Sequence, residues 1–312
     1  MYFIGVDGGG TKTQVGLFDK GGSCLSCLQT GGSNHESLPG AFEEAARVIY
    51  TCAKQLLRGY DVAPSAVDGW FMGLAGADND QQVVCLEQQF KALGLDRIKI
   101  FNDGYLPVLA GTPQGVGIAY NAGTGTTTTG IDPLGQKLQI GGLGNYSGDM
   151  GSGPWIYEQV WRAAYDFYCV CGPATKLTTA LETLVGAPCM EVFQQGRYAA
   201  TDCSSQLIPS VIHAFFDAWN EGDPVSRDIG CHMAVRGAAM IAGVAKRLDF
   251  SEPVDIVLSG SVHMKAASKD YLRFFEKQVQ RQCGQELRFT VLNCQPVMGC
   301  VKLIHDQVGT ER

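Results

Sequence analysis

"GGGTKTQVGLFDKGG" (residues 8–22) and "NAGTGTTTTGIDPLG" (residues 121–135) decide the fold, because they spell one unit twice. Laid over each other, Gly10-Thr11 falls on Gly123-Thr124, Phe18 on Ile131, Asp19 on Asp132 and Gly22 on Gly135. Each copy reads as strand, glycine turn, strand, turn, strand. Glycine at the first turn permits positive φ and removes side chains, so the backbone N–H groups of residues 9–11 can close on an anion. A repeated hairpin of this kind predicts two similar α/β lobes.

Working outward from the first copy, strands are expected at 2–7, 13–18, 24–30, 68–74 and 97–101, with helices at 39–58 and 81–92. Alternation of short apolar runs with amphipathic segments is the mark of a mixed α/β domain. "AFEEAARVIYTCAKQLL" carries Ala45, Val48, Ile49, Cys52 and Leu56 at helical spacing. A loop, "LAGTPQG", precedes the second copy. The expected division is therefore an N-terminal lobe over 1–112, joined by a C-terminal helix within 296–312, and a second lobe over 113–295. The second lobe carries three apolar helical stripes: Ile156, Val160, Ala163, Ala164 and Phe167; Leu207, Val211, Phe215 and Trp219; and Ile229, Met233, Met240, Val244 and Leu248. Asp223-Pro224 reads as an N-cap followed by proline at the first helical position, starting a helix over 225–248. Strand 254–258, helix 263–281, strand 287–292 and helix 296–308 close the chain.

The 312 residues suit two domains, and 45% hydrophobic with 18% charged residues is the balance of a packed globular protein. A formal net charge of −7 with no basic block argues against nucleic acid as a partner. The first residues contain no basic leader followed by an apolar run, and no stretch reaches the roughly 18 apolar residues of a membrane span. A cytoplasmic protein with reduced thiols is the expectation for the twelve cysteines. Cys24 and Cys27 lie in one expected strand, where an odd separation points them to opposite faces. Together with Cys169 and Cys171 they read as plain buried thiols.

Two familiar phosphate motifs fail at the first turn. A P-loop needs glycine directly before its Lys-Thr pair, and Thr11 stands there; a dinucleotide fingerprint needs a helix next, whereas "TQVGLF" is a strand. What remains is a β-hairpin offering backbone amides, the Thr11 hydroxyl and the Lys12 ammonium. Asp7, at the end of the first strand, would repel phosphate unless a cation lay between them, so it reads as a ligand on the magnesium side through water. The simpler alternative is an Asp-Gly turn without a ligand.

Three further stretches carry chemistry. In "IKIFNDGYLPVLAG" a strand ends at Phe101 and a helix follows, so Asp103 sits at the carboxyl edge of a sheet, where α/β proteins place ligands. It is either a helix cap or a base for a substrate hydroxyl. "GGLGNYSGDMGSGPW" (141–155) is the densest glycine-rich polar loop; the Gly142, Leu143 and Gly144 backbone can approach a polyol and Asp149 can hydrogen-bond it, or Asp149 caps the next helix. In "DIVLSGSVHM" a buried strand runs into Gly260-Ser261 and then a helix, whose first amides suit a phosphate or the adenosine end of a nucleotide.

In order and spacing, "GVDGGGTKT", "SNH", "NDG", "NAGTGT", "GGLGNYSGDMGSGPWI" and "LSGSV" resemble the BadF/BadG-type ATPase family and its N-acetylglucosamine kinases, within the sugar kinase, hsc70 and actin superfamily. The resemblance runs through nearly the whole chain. It implies two duplicated ribonuclease H-like lobes with an inter-lobe cleft, ATP and Mg2+ as cofactors, and a homodimer. It places Gly10, Thr11, Lys12, Gly123, Thr124, Gly125, Gly260 and Ser261 at the nucleotide and Asp7 on the magnesium side. Around a hexosamine it places Asn34, Asp103, Asp149 and Gly142-Leu143-Gly144, with Asp103 as base for the 6-hydroxyl. Leu143 stands where animal kinases often have an aromatic residue, and Met150 where an acid commonly follows the aspartate, so glucosamine, N-acetylmuramic acid or another hexose stays open. The expected activity is ATP-dependent phosphorylation of an amino sugar. The alternative within the family is an ATPase that activates a partner enzyme by electron transfer through a shared iron–sulfur cluster, which needs exposed cysteines.

Overall fold

The computed structural model describes residues 1–194, 204–251 and 253–310. Along the chain run β1 (Tyr2–Gly8), β2 (Lys12–Asp19), β3 (Cys24–Gly31), α1 (Ala41–Arg58), β4 (Gly69–Leu74), α2 (Asp80–Ala92), β5 (Ile98–Phe101) and α3 (Leu106–Gly111). The second copy supplies β6 (Gly117–Ala122), β7 (Thr126–Ile131) and β8 (Lys137–Gly141). Five helices follow: α4 (Gly153–Cys169), α5 (Lys176–Val185), α6 (Cys189–Gln194), α7 (Ser204–Asn220) and α8 (Pro224–Ala245). The chain closes with β9 (Val254–Ser259), α9 (Lys269–Cys283), β10 (Leu287–Val291) and α10 (Cys300–Thr310). Contacts divide the chain into one unit of Met1–Gly117 with Leu292–Arg312 and another of Ile118–Val291.

The two units repeat one topology. Each holds a five-stranded sheet, ordered β3-β2-β1-β4-β5 in the first and β8-β7-β6-β9-β10 in the second. In the first, β1 pairs antiparallel with β2 and parallel with β4, which pairs parallel with β5. In the second, β9 pairs parallel with both β6 and β10. The duplication extends to single hydrogen bonds. The Asp19 carboxylate accepts from Gly21 N (2.8 Å) and Ser23 N (2.9 Å), and the Asp132 carboxylate from Leu134 N (2.9 Å) and Gln136 N (2.8 Å). The glycine that reverses each turn has nearly the same backbone: φ is +81° at Gly22 and +78° at Gly135. An acceptor at the turn's start and a residue tolerant of positive φ near its end are what that turn requires.

Cores form on the faces that the sequence pattern marks. In the first unit Ile4, Val6, Val15 and Leu17 pack with Ala45, Ile49, Ala53 and Leu56 of α1. In the second, Ile156, Val160, Val211, Phe215, Trp219, Met233 and Met240 share a core with Tyr271 and Phe275 of α9. Asp223 caps α8, its Oδ1 accepting from Ser226 N at 2.9 Å with Pro224 in the first turn. Phe167 departs from its stripe: at the exposed end of α4 it packs edge-on against Tyr168.

Three local expectations change. The helix expected over 263–281 is split, because a single wide turn at Val262–Ala266 closes with an Ala267 N to Val262 O bond (2.7 Å), and Ser268 then caps α9 afresh. The helix expected from 296 opens as a tight turn, Pro296–Gly299, before α10 begins. In β3 a register shift sets Cys24 opposite Phe18 and Cys27 opposite Gly16, so the bulge at Leu25 returns the two thiols to one side of the sheet instead of opposite faces. Both are exposed, as are Cys169 and Cys171, so the expectation of buried thiols fails at these four positions, whereas Cys52, Cys189 and Cys300 are buried. Cys203 lies outside the described residues.

Candidate functional site

In the first unit three parallel strands end together: Gly8 of β1 is level with Leu74 of β4, and Gly73 is level with Phe101 of β5. The loops leaving them converge. Ala75 N donates to Gly8 O (2.7 Å), and Ser33 N donates to Gly9 O (3.0 Å). Gly32 packs so closely on the 10–11 turn that a Cβ there would lie 2.1 Å from Gly10 O. Asn34 reaches Gly76, where an added Cβ would meet Asn34 Oδ1 at 2.7 Å and the His35 ring at 2.6 Å. The structure thus brings Asp7, Gly10, Thr11, Lys12, Asn34 and Asp103 to one sheet edge. Gly10, Thr11 and Lys12 are exposed there. Gly9 N, one of the three amides expected to face an anion, donates instead to Lys12 O at 2.9 Å and closes the hairpin.

Asp103 follows directly on Asn102, and it is Asn102 that serves as the cap: its Oδ1 accepts from Gly104 N at 2.8 Å. That assigns the structural role to the neighbour. Burial, reinforced by the negative charges of Asp7 and Asp78, pushes the Asp103 carboxyl up to about 7, against a smaller pull from the amides of Gly104 and Asp103 itself. Burial likewise pushes Asp7 up to about 6, partly offset by the Lys12 ammonium. A cluster of desolvated acids with one lysine for compensation carries surplus negative charge. Among the described residues no group of three or more His, Cys, Asp or Glu forms a closed metal cage. Open carboxylates of this kind fit magnesium, which keeps its waters and takes one or two protein oxygens beside phosphate oxygens.

Asp78 and His35 were not singled out in the sequence. Asn102 Nδ2 donates to Asp78 Oδ1 at 2.7 Å, so this acid orients the side chain that caps the Asp103 turn. A signal is present in "GLAGAD": like Asp103, Asp78 is an acid just past the carboxyl end of a buried strand. His35 is buried, stacks on Phe42 (centroids 4.0 Å apart), and its Nδ1 has no hydrogen-bond partner. Its burial holds it below the usual histidine range.

In the second unit the corresponding edge holds the 123–125 turn, closed by Gly123 N donating to Gly125 O (3.0 Å). Gly260 lies against it: its φ is +85°, and an added Cβ would stand 2.2 Å from Ala122 O. Ser259 Oγ donates to Asn121 Oδ1 at 3.1 Å, tying the two strand ends. Ser261 is exposed beside them, before the wide turn rather than at the start of a long helix. His263 is buried against both Tyr120 and Phe275, and burial lowers it to about 4, so the ring is neutral at pH 7. The glycine loop is pinned to the same turn. Gly142 N donates to Thr126 O (3.0 Å), Gly153 N to Gly123 O (2.8 Å), and the Asp149 carboxylate accepts from Thr126 N (3.1 Å). Ser152, not Asp149, caps α4. Gly142, Leu143 and Gly144 are exposed.

The sequence profile of the BadF/BadG/BcrA/BcrD ATPase family matches residues 4–291. The chain belongs to that family. It is 27% identical to the N-acetyl-D-glucosamine kinase of Dictyostelium discoideum over 96% of this chain and 97% of the relative. It is 30% identical to the N-acetylmuramic acid/N-acetylglucosamine kinase of Clostridium acetobutylicum over 56% of this chain and 57% of that protein. A solved structure from Chromobacterium violaceum, provisionally named an N-acetylglucosamine kinase, superposes with a TM-score of 0.69 at 24% identity, covering 97% of this chain and 98% of the other. The duplicated α/β fold is thus shared with that solved structure. No helix among the described residues is long and apolar enough to cross a membrane.

Proposed function

We propose that this family member transfers the γ-phosphoryl group of ATP to the 6-hydroxyl of an amino sugar such as N-acetylglucosamine. The observation that carries the reading is Asp103: set just past the carboxyl end of β5, beside the turn that Asn102 caps, and raised to about 7 by burial. A base titrating near the working pH can accept the hydroxyl proton as the new O–P bond forms and ADP departs, which contributes roughly 10²–10⁴-fold. Positioning and charge neutralisation supply the remainder of phosphoryl-transfer catalysis.

In this reading Asn34, the Gly142-Leu143-Gly144 backbone, Asp149 and Asp103 receive the sugar. Gly10, Thr11 and Lys12 in the first unit and Gly123, Thr124, Gly125, Gly260 and Ser261 in the second receive the nucleotide. Asp7 would hold Mg2+ through water, and the ion would supply neutralisation of developing phosphate charge. Relatives that act on N-acetylglucosamine and N-acetylmuramic acid support the substrate class. A homodimer and a cytoplasmic setting belong to the same reading, and light scattering coupled to size exclusion checks the first. Incubation with Mg·ATP and a panel of hexosamines, followed by phosphorus NMR of the products, tests the chemistry. A hexosamine 6-phosphate is expected; phosphate release with every sugar unmodified would sink the proposal.

A further inference from the structure

The Asp149 carboxylate touches the phosphate turn itself. Its Oδ1 accepts from Thr126 N at 3.1 Å, and an added Cβ on Gly125 would lie 3.2–3.3 Å from the carboxyl atoms, so the acid fills the space beside the turn. The residue holds this position with φ at +39°, a left-handed conformation that favours glycine and that few other residue types adopt. Two backbone bonds, Gly142 N to Thr126 O and Gly153 N to Gly123 O, fasten the two ends of the same loop to the two sides of the same turn. Between them Leu143 and Gly144 stay exposed and hydrogen-bond within the loop, to Tyr146, Ser147 and Gly148. In the middle of this loop the side chain of Asp149 carries an acceptor that reaches the turn.

We propose that Asp149 is a positioning residue for the 123–126 turn, setting the geometry in which that turn receives phosphate, in addition to any contact it makes with a sugar. The inference rests on the reading of 123–125 as a nucleotide turn. The position of the acid on the turn predicts an effect on nucleotide affinity with no sugar present, which a group that touches only sugar would not produce. What the turn needs is an acceptor, not a charge. Asparagine at 149 retains an Oδ1 that can accept from Thr126 N, and alanine does not.

The experiment is isothermal titration of the full chain with Mg·AMPPNP in the absence of sugar, for wild type, Asp149→Asn and Asp149→Ala, each first checked for native circular dichroism and melting. Alanine is expected to weaken binding about tenfold, the scale of one lost hydrogen bond to a charged acceptor, while asparagine binds within about threefold of wild type. Alanine binding AMPPNP as tightly as wild type, or asparagine as weak as alanine, overturns the positioning role. Failure of the wild type to bind AMPPNP at all would instead overturn the nucleotide reading on which it rests.

Discussion

Replacing Asp103 with asparagine should make the unliganded protein more stable while removing its activity. The carboxyl is raised from an ordinary 3.8 to about 7, chiefly by burial and then by the charges of Asp7 and Asp78. Because its folded value lies above its unfolded value, the favourable contribution of the protonated acid is complete below pH about 4 and is lost as pH rises through about 7. Three units at 1.36 kcal/mol each bound the ionised form's penalty at about 4 kcal/mol at pH 8. Asp7 is raised to about 6 and shares part of that repulsion, so about 2–4 kcal/mol is the expected gain for Asp103→Asn at pH 8. At pH 5 the wild-type acid is largely protonated in the folded state, and the gap should shrink by about 2–3 kcal/mol. Urea unfolding at both pH values, without nucleotide, measures it. Turnover should fall at least about a hundredfold, the lower bound of general-base assistance. A variant no more stable than wild type at pH 8, or a stability difference that ignores pH, would refute the picture of Asp103 as a desolvated, charge-crowded acid.

Four further substitutions probe turns and loops in the two units. Gly76→Ala places a Cβ against Asn34 Oδ1 and the His35 ring at φ +79°, and is expected to cost about 1–3 kcal/mol in urea unfolding and to raise the sugar KM more than it lowers kcat. Gly260→Ala overlaps Ala122 O at 2.2 Å, so a loss of about 3 kcal/mol and weakened AMPPNP binding should both appear. Asp132→Ala should destabilise more than Asp19→Ala, although each acid ties two turn amides, because Asp132 is 1% exposed and its carboxylate is screened from water where the half-buried Asp19 is not; equal urea midpoints would count against this.

The duplication was legible in the sequence because its turns demand particular chemistry at fixed offsets. An acid able to accept two amides and a glycine three residues later recur as Asp19/Gly22 and Asp132/Gly135, and both turns fold alike. The helix over 224–245 was legible for a similar reason, since Asp223-Pro224 is a local start signal. What escaped depended on partners distant in sequence or on a one-residue irregularity. Thr126, the partner of Asp149, lies 23 positions away, and Asp78 and Asn102 are 24 apart, so neither pair leaves a local pattern. Cys24 and Cys27 changed faces through a single bulge that strand periodicity does not announce. The wide turn at Val262–Ala266 interrupts a stretch whose apolar spacing alone favours an unbroken helix.

Initial rates of ADP formation from Mg·ATP, measured with and without N-acetylglucosamine, test the central claim most directly. The account predicts slow release alone and a saturable rise with the sugar, one ADP for each sugar 6-phosphate formed. ADP formation that no hexosamine stimulates would contradict it.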